Sequence, residues 1–593
     1  MKSVLLKAMR SLAILLAAIL LTFYFWVVLP FWGIPFSLCH HSRPPITPPW
    51  ALECWLWEDD VNTAEKVDEL LSGYAEHDIP VRTILIDSPW STRYNDFCVD
   101  TIRYPHPEQW LRKLQDQGYR VVLWMTCMVD SLNKDTRFRE SGEWYDLAKK
   151  NNYLVGNGYQ ISWWKGRGGF IDYTHPQALK WWRGMQQQLF DWGIDGWKLD
   201  GTATFFSSRL GKVLFPYQTT FKGILTTRQY MNLYYREEYR HGLSQNPEFI
   251  TMARSIDRLY AHPEGFAPLD AAPVCWVGDQ KHTWKSTSAD GFEEPVPGTD
   301  LVMEGIGGLE TAMEYILASA ERGYCVIGSD IAGFSGKVIP PRLYVRWAQF
   351  SAFCGLFMNG GHGDRRLWNR SSEELEIIRK FSWLHTELIP YIFSHVVECH
   401  RGGKPLQRPL AGKYHYLFGD DLLVAPIYED SYRRLVRLPR GTWRYFFDDR
   451  QVFQGPSKFI REYPLDEYPV FVRNGAIIPL DVKRHYTGWG DATSANYLTL
   501  LIYPNGKSRF TQHHPDARGE MEIRAEQSSD RLSISLSGKT VPHILRIHSD
   551  QKPVAISCNA VPLSASHWRY DNAKCKILIR NASQGDQNYL IRY

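Results

Sequence analysis

From residue 51 the chain alternates short apolar runs with longer stretches in which apolar residues recur every three or four positions. The short runs predict strands at Glu53–Trp57, Thr83–Asp87, Val121–Met125, Gly196–Asp200, Phe249–Ala253, Val274–Gly278, Tyr324–Gly328 and Leu356–Asn359. The amphipathic stretches predict helices over residues 63–77, 106–117, 175–192, 229–243, 308–322, 340–354 and 373–397. The first of these shows the pattern plainly, with Ala64, Val67, Leu70, Leu71 and Tyr74 on one face. Strand and helix in alternation predict a parallel α/β fold, and eight repeats favour a closed (β/α)8 TIM barrel over residues 51–397. Two long βα connections, 201–228 and 280–307, fall at the barrel end where such folds build their sites.

Beyond residue 398 the pattern shortens to strands broken by Gly, Pro and Asn, as in Leu435–Pro439 and Tyr497–Tyr503. This predicts a proximal β domain over 398–480 and a distal one over 481–593. At the other end, Lys2, Lys7 and Arg10 precede an uncharged apolar run from Leu12 to Trp32. About 20 such residues cross a hydrocarbon core, whereas the apolar core of a cleaved signal peptide spans only about 7–15. Residues 1–36 therefore read as an uncleaved membrane anchor, followed by a Pro-rich linker over 37–50. The basic residues before the run predict a cytoplasmic N-terminus and an extracytoplasmic barrel, whether periplasmic, lumenal or extracellular.

Composition changes this picture little. A net charge of +4 over 593 residues, with no Lys/Arg block, gives no support to a nucleic-acid partner. The 23 Trp and 32 Tyr suit a protein that stacks sugars, and equally suit a large aromatic-rich barrel. Ten cysteines are too few for a disulfide framework in so long a chain. With no Cys-x-x-Cys and no His-Glu-x-x-His, no metal is expected. Asn369-Arg-Ser and Asn581-Ala-Ser fit the N-glycosylation pattern of a eukaryotic host.

The chemistry lies at the predicted strand ends. Strands two, four, six and seven end in Asp87, Asp200, Asp279 and Asp330, which aims four carboxylates at one barrel mouth. One such acid is often a helix cap; four together point to a site. Lys198 stands two residues before Asp200 on the same strand face, and its charge favours an ionised carboxylate, as a nucleophile needs. Asp279 precedes a long loop that would exclude water, which predicts a raised pKa fit for a general acid.

Asp195-Gly-Trp-Lys-Leu-Asp200 resembles the nucleophile segment of glycoside hydrolase family 31, and Trp276-Val-Gly-Asp-Gln280 its acid/base segment. Gly328-Ser-Asp-Ile-Ala-Gly-Phe334, Phe418-Gly-Asp-Asp-Leu-Leu-Val-Ala-Pro426 and Pro469-Val-Phe-Val-Arg-Asn-Gly-Ala-Ile-Ile-Pro479 are similar to three further family segments, in order. The resemblance runs from about residue 50 to 480. It implies a retaining exo-α-glycosidase without cofactor, with Asp200 as nucleophile and Asp279 as acid/base. It also implies that Trp124 and Trp276 line the sugar subsite, and that Asp87, Lys198, Asp330 and His362 bind hydroxyls or position the acids.

Two departures bear on specificity. Only residues 37–50 separate the anchor from the barrel, where many family members carry a large β-sandwich that lends a loop to the site. Several members have an Arg five residues before the acid/base-segment Trp; here that residue is Ala271, and Arg254 is the candidate replacement. Gln280 and Trp284 are similar to the sulfoquinovosidases of the family, but Ile86-Asp-Ser-Pro-Trp90 departs from their sulfonate-binding pattern. The expected substrate is a glycoside or oligosaccharide with a terminal α-linked sugar. The alternatives are a catalytically silent glycan-binding protein and an α-transglycosylase on the same fold.

Overall fold

The computed structural model describes residues 2–32, 42–59, 61–210, 213–256, 266–285, 293–295, 302–304, 307–336, 338–515, 519–564 and 566–593. All eight predicted strands form. They are β1 (Trp55–Glu58), β2 (Thr83–Ile86), β3 (Arg120–Met125), β4 (Gly196–Leu199), β5 (Ile250–Arg254), β6 (Val274–Trp276), β7 (Ile327–Gly328) and β8 (Met358–Gly361). Their order around the sheet is β7-β6-β5-β4-β3-β2-β1-β8, with every neighbour parallel. A parallel bridge between Asp330 and Met358 spans the last seam. β1, β2, β4, β6 and β8 are buried at every position, which is why they read as continuous apolar runs rather than as alternation.

The surrounding helices are α1 (Ala64–Glu76), α2 (Pro107–Asp116), α3 (Pro176–Asp191), α4 (Thr227–Gln245), α5 (Leu309–Glu321), α6 (Pro341–Ser351), α7 (Ser372–Glu387) and α8 (Ile389–His400). Reciprocal side-chain and backbone bonds between Thr226 and Gln229 start α4, and the same device at Ser371 and Glu374 starts α7. The single helix predicted over 373–397 is two. The break falls at Leu388, just ahead of Pro390, which has no N–H for a continuing ladder and stands in the first turn of α8.

Three βα connections are long, one more than expected. Residues 126–175 after β3 build a three-stranded sheet (Met128–Asn133, Ile161–Trp163, Gly166–Phe170) and the helix Gly142–Lys150. After β4 come the antiparallel pairs Ser208–Leu210 with Val213–Phe215 and Tyr217–Thr220 with Gly223–Thr226. Of the predicted loop 280–307, residues 286–292, 296–301 and 305–306 lie outside the described residues.

Beyond the barrel a six-stranded antiparallel sheet runs through residues 407–473. Five- and six-stranded sheets then share a second core, in which Ile477, Leu500 and Leu545 meet Ile523, Ile534 and Ile591. The first sheet is tied to the barrel by a fully buried cation. Arg346 of α6 donates to the carbonyls of Tyr463 (2.7 Å) and Glu467 (2.6 Å), and Gln349, one turn on, donates to Leu465 (2.6 Å). Burial pushes the guanidinium down to about 10, far enough above neutrality to stay charged.

The N-terminal segment is helical from Lys2 to Phe23 and continues in a wider-wound form from Tyr24 to Trp32. Leu6–Phe31, with mean hydropathy 2.7, is long and apolar enough to cross a membrane, and Leu12 and Ile14 are 66% and 70% exposed. Residues 33–41, which hold the predicted end of the anchor and start of the linker, lie outside the described residues.

Replacing Arg346 with Leu strands at least two buried carbonyls, and a loss of about 3 kcal/mol in unfolding free energy is expected. Chemical denaturation of the Arg346→Leu variant measures it.

Candidate active site

The four strand-end acids converge on the barrel mouth around two cations. Lys198, next to last in β4 and 5% exposed, donates to Asp87 Oδ2 at 2.6 Å. Its ammonium lies 4.4 Å from the Trp57 ring centre and 5.0 Å from that of Trp276. Burial pulls its pKa down, but the fields of Asp87, Asp330, Asp200 and Asp279 outweigh burial and raise it. The backbone amide of Ser88 donates to the other Asp87 oxygen at 2.7 Å.

The second cation is Arg254 at the end of β5. It donates to Asp279 Oδ2 at 2.5 Å, and its Nε stands 3.7 Å from Asp200 Oδ1, so one guanidinium bridges the ends of β4 and β6. The guanidinium also lies over the Trp276 ring, 4.9 Å from its centre. Gly278 admits this arrangement: a Cβ there would stand 2.7 Å from Arg254 Nη1, on a backbone with φ +104°. Asp200 is held at both oxygens, by the Gly201 amide at 2.7 Å and the Trp124 indole at 3.1 Å.

The expectation that burial raises the pKa of Asp279 is overturned. Burial does push it up, but Arg254 first and Lys198 second more than cancel that, and the carboxyl is held below its ordinary value. Asp330 shows the opposite balance. It is 1% exposed and neither side-chain oxygen has a hydrogen-bond partner. Burial raises its pKa to about 8, against the opposing pull of Lys198. Ala271 sits in a short turn ahead of β6, at the end of the barrel away from the mouth, and its carbonyl accepts from Thr251. A long cation there would start from the wrong end of the strand, and Arg254 occupies the mouth instead. The Gln280 amide is spent on the Val277 carbonyl at 2.9 Å.

The candidate substrate-binding residues lie at this mouth: Asp87, Lys198, Arg254, Trp276 and Asp330 around the cations, Trp124 on Asp200, and His362 at the β8 end. Three partners escaped the sequence reading. Asp59 follows β1, and its Oδ2 stands 3.3 Å from His362 Nε2. Burial and then Asp87 raise its pKa, with His362 and Lys198 opposing. The signal was the acidic run directly after the first strand; its meaning required knowing that β1 lies beside β8, where Glu58 faces Gly361. Trp57 lies under Lys198. Trp163 comes from the 126–175 insertion, its indole stacked parallel to Trp124 with ring centres 6.3 Å apart. It donates to both oxygens of the buried Asp130, at 3.0 and 3.1 Å.

Residues 44–290 and 303–395 match the TIM-barrel domain of glycosyl hydrolases family 31, and residues 404–478 match that family's C-terminal domain. The chain belongs to glycoside hydrolase family 31. It is 24% identical over 565 residues to an isomaltosyltransferase of Sporosarcina globispora, covering 85% of this chain and 47% of that one. It is 25% identical over 469 residues to an α-xylosidase of Emericella nidulans, covering 74% and 54%. The chain thus spans about half the length of these relatives. In fold it is similar to the family 31 dextranase of Flavobacterium johnsoniae complexed with glucose, with TM-score 0.77, 20% identity and coverage of 93% of this chain and 72% of that one. The cycloalternan-forming enzyme of Listeria monocytogenes gives TM-score 0.78 at 20% identity, covering 93% and 55%.

Asp330 provides a test independent of turnover. Its raised folded-state pKa contributes stability that is present below the unfolded value of 3.8 and is lost as pH rises through about 8. Asp330→Asn removes that dependence. The variant is expected to gain on the wild type between pH 5 and 8 by on the order of 1–3 kcal/mol, read by denaturant titration at both pH values.

Proposed function

We propose that this family 31 protein hydrolyses terminal α-linked sugars with retention of configuration, through a covalent glycosyl ester on Asp200. The observation that carries the reading is the shared guanidinium: Arg254 bridges the carboxyls of Asp200 and Asp279 on either side of the mouth. Trp124 and the Gly201 amide fix Asp200 in orientation. One oxygen of Asp200 attacks the anomeric carbon as the bond to the leaving oxygen breaks, and Asp279 delivers a proton to that oxygen. Water then enters the vacated position, Asp279 takes its proton, and the ester opens to the free sugar.

With Arg254 against it, Asp279 is held as a base, not an acid. Sugar hydroxyls that engage Arg254 loosen its grip on Asp279. The nearby carboxylate of Asp200 then favours the protonated form of Asp279, as like charges at close range do. The unpartnered carboxyl of Asp330 is placed to bind a sugar hydroxyl. Lys198 positions Asp87 and balances the acids around it.

The names of the matched isomaltosyltransferase and cycloalternan-forming enzyme favour one second reading, in which a sugar hydroxyl replaces water in the second step. Product analysis at high acceptor concentration separates the two. We further propose that the apolar helix spans a membrane from about Leu6 onward with its basic end cytoplasmic, which places the barrel outside the cytoplasm.

Asp200→Asn is expected to lower turnover of 4-nitrophenyl α-glycosides by about ten-thousandfold with the fold intact. Azide is expected to rescue Asp200→Gly with formation of the β-glycosyl azide. Unchanged hydrolysis by Asp200→Asn would refute the assignment. Because Arg254 depresses Asp279, Arg254→Gln should lower kcat/KM and move its alkaline limb up by about one pH unit. A limb left in place would remove Asp279 from the acid role.

A further inference from the structure

The N-terminal helix meets the barrel at its catalytic end. The hydroxyl of Tyr217 donates to the carbonyl of Phe25 at 2.6 Å, and the Trp26 ring packs on Phe215 with centres 5.2 Å apart. Phe215 and Tyr217 belong to the β4–α4 connection, which leaves the strand end that carries Asp200. The far end of that connection is held at the same level. The amides of Phe221 and Lys222 donate to Asp172 (2.7 Å) and Thr174 (3.2 Å), just ahead of α3. The chain re-enters the barrel at the opposite end, where the Thr47 hydroxyl donates to Pro273, the residue before β6. Along the chain, then, the apolar helix comes first, its contact with the catalytic end second, and the far end of the barrel last.

The helix length sets the level of that contact. About 20 residues counted from Leu6, where the apolar stretch begins, rise about 30 Å, the thickness of a hydrocarbon core, with Lys7 and Arg10 close to its basic end. Tyr24, Phe25 and Trp26 close that length, at the depth where aromatic side chains favour the membrane–water boundary. Val28 and Pro30 are already buried. No spacer intervenes between the membrane-length helix and its contact with the barrel.

The hairpin beside this contact carries two large exposed apolar side chains. Alternation along the strands sets Tyr217 and Thr219 on one face with their cross-strand partners Thr226 and Ile224. Tyr217 on that face touches the helix. Ile224 on the same face is 69% exposed, Phe221 at the tip is 61% exposed, and Lys222 beside it is exposed too. Two large apolar side chains with a cation at the tip, next to aromatic residues at boundary depth, fit the headgroup zone of a bilayer.

We propose that the hairpin Tyr217–Thr226 seats in the surface of the bilayer that the N-terminal helix spans and holds the barrel mouth toward it, so that the substrate is an α-glycoside carried on a lipid of the same membrane. This rests on the reading of the protein as a membrane-spanning α-glycosidase. It narrows the substrate to sugars displayed at a lipid surface.

The test uses the full chain in phosphatidylcholine vesicles and two probes of one sugar: its 4-nitrophenyl α-glycoside in solution and its dialkylglycerol α-glycoside in the vesicle. The sugar is the one preferred in a panel of nitrophenyl glycosides. Phe221→Ser combined with Ile224→Ser is expected to slow hydrolysis of the lipid-borne probe about tenfold and leave the soluble probe unchanged. Equal rates for variant and wild type on the lipid-borne probe would overturn the proposal. The wild type gives a second reading that needs no substitution. The lipid-borne probe is expected to be cleaved in the vesicle that holds the enzyme and spared in separate vesicles; equal cleavage in both would overturn the proposal. Failure to cleave either probe would remove the glycosidase reading itself, and extraction of the chain by alkaline carbonate would remove the membrane-spanning one.

Discussion

Four carboxylates facing one barrel mouth repel one another, and the site stands on the two cations placed among them. Lys198 lies against Asp87 at 2.6 Å, both buried where charge is weakly screened, and Arg254 lies against a half-buried Asp279 at 2.5 Å. Removing either cation leaves a partly buried acid without its partner, the costly direction of change for an ion pair. Both cations also lie over the Trp276 ring, and Lys198 over that of Trp57, so the aromatic walls hold the charges as well as shaping the opening.

The same balance divides labour among acids of one type. Asp279 meets a guanidinium and is pulled down; Asp330 meets burial with no hydrogen-bond partner and rises to about 8. The mouth therefore carries an unspent hydrogen-bonding group at Asp330 and an acid engaged by Arg254. On the proposed reading a polyhydroxylated ligand would relieve both, its hydroxyls giving Asp330 a partner and competing for the guanidinium.

Outside the charged centre the support is longer in range. Trp124 holds Asp200, Trp163 stacks on Trp124, and Asp130 holds Trp163, so the 126–175 insertion reaches the central acid through two indoles. The β4–α4 connection starts beside that acid and ends in the hairpin that meets the N-terminal helix. Two of the long connections thus join at the mouth, one supporting its wall and the other touching the N-terminal helix.

The chain itself determined the barrel, because eight buried apolar runs between amphipathic stretches admit few other folds, and the strand-end acids followed from that count. The spacing of Lys198 and Asp200 along one strand was legible for the same reason: period-two geometry is local. Asp59 was not legible, since its pairing with His362 depends on β1 lying beside β8, a neighbour relation made only when the sheet closes. The break between α7 and α8 had a local cause in Pro390, which the periodic pattern hid. The depression of Asp279 was hidden more deeply, because burial and Arg254 push in opposite directions and only their distances decide the sign. Periodicity and spacing act along the chain and can be read there. Charge balance and the contact of the N-terminal helix with the mouth act across space, and only the tertiary structure sets them.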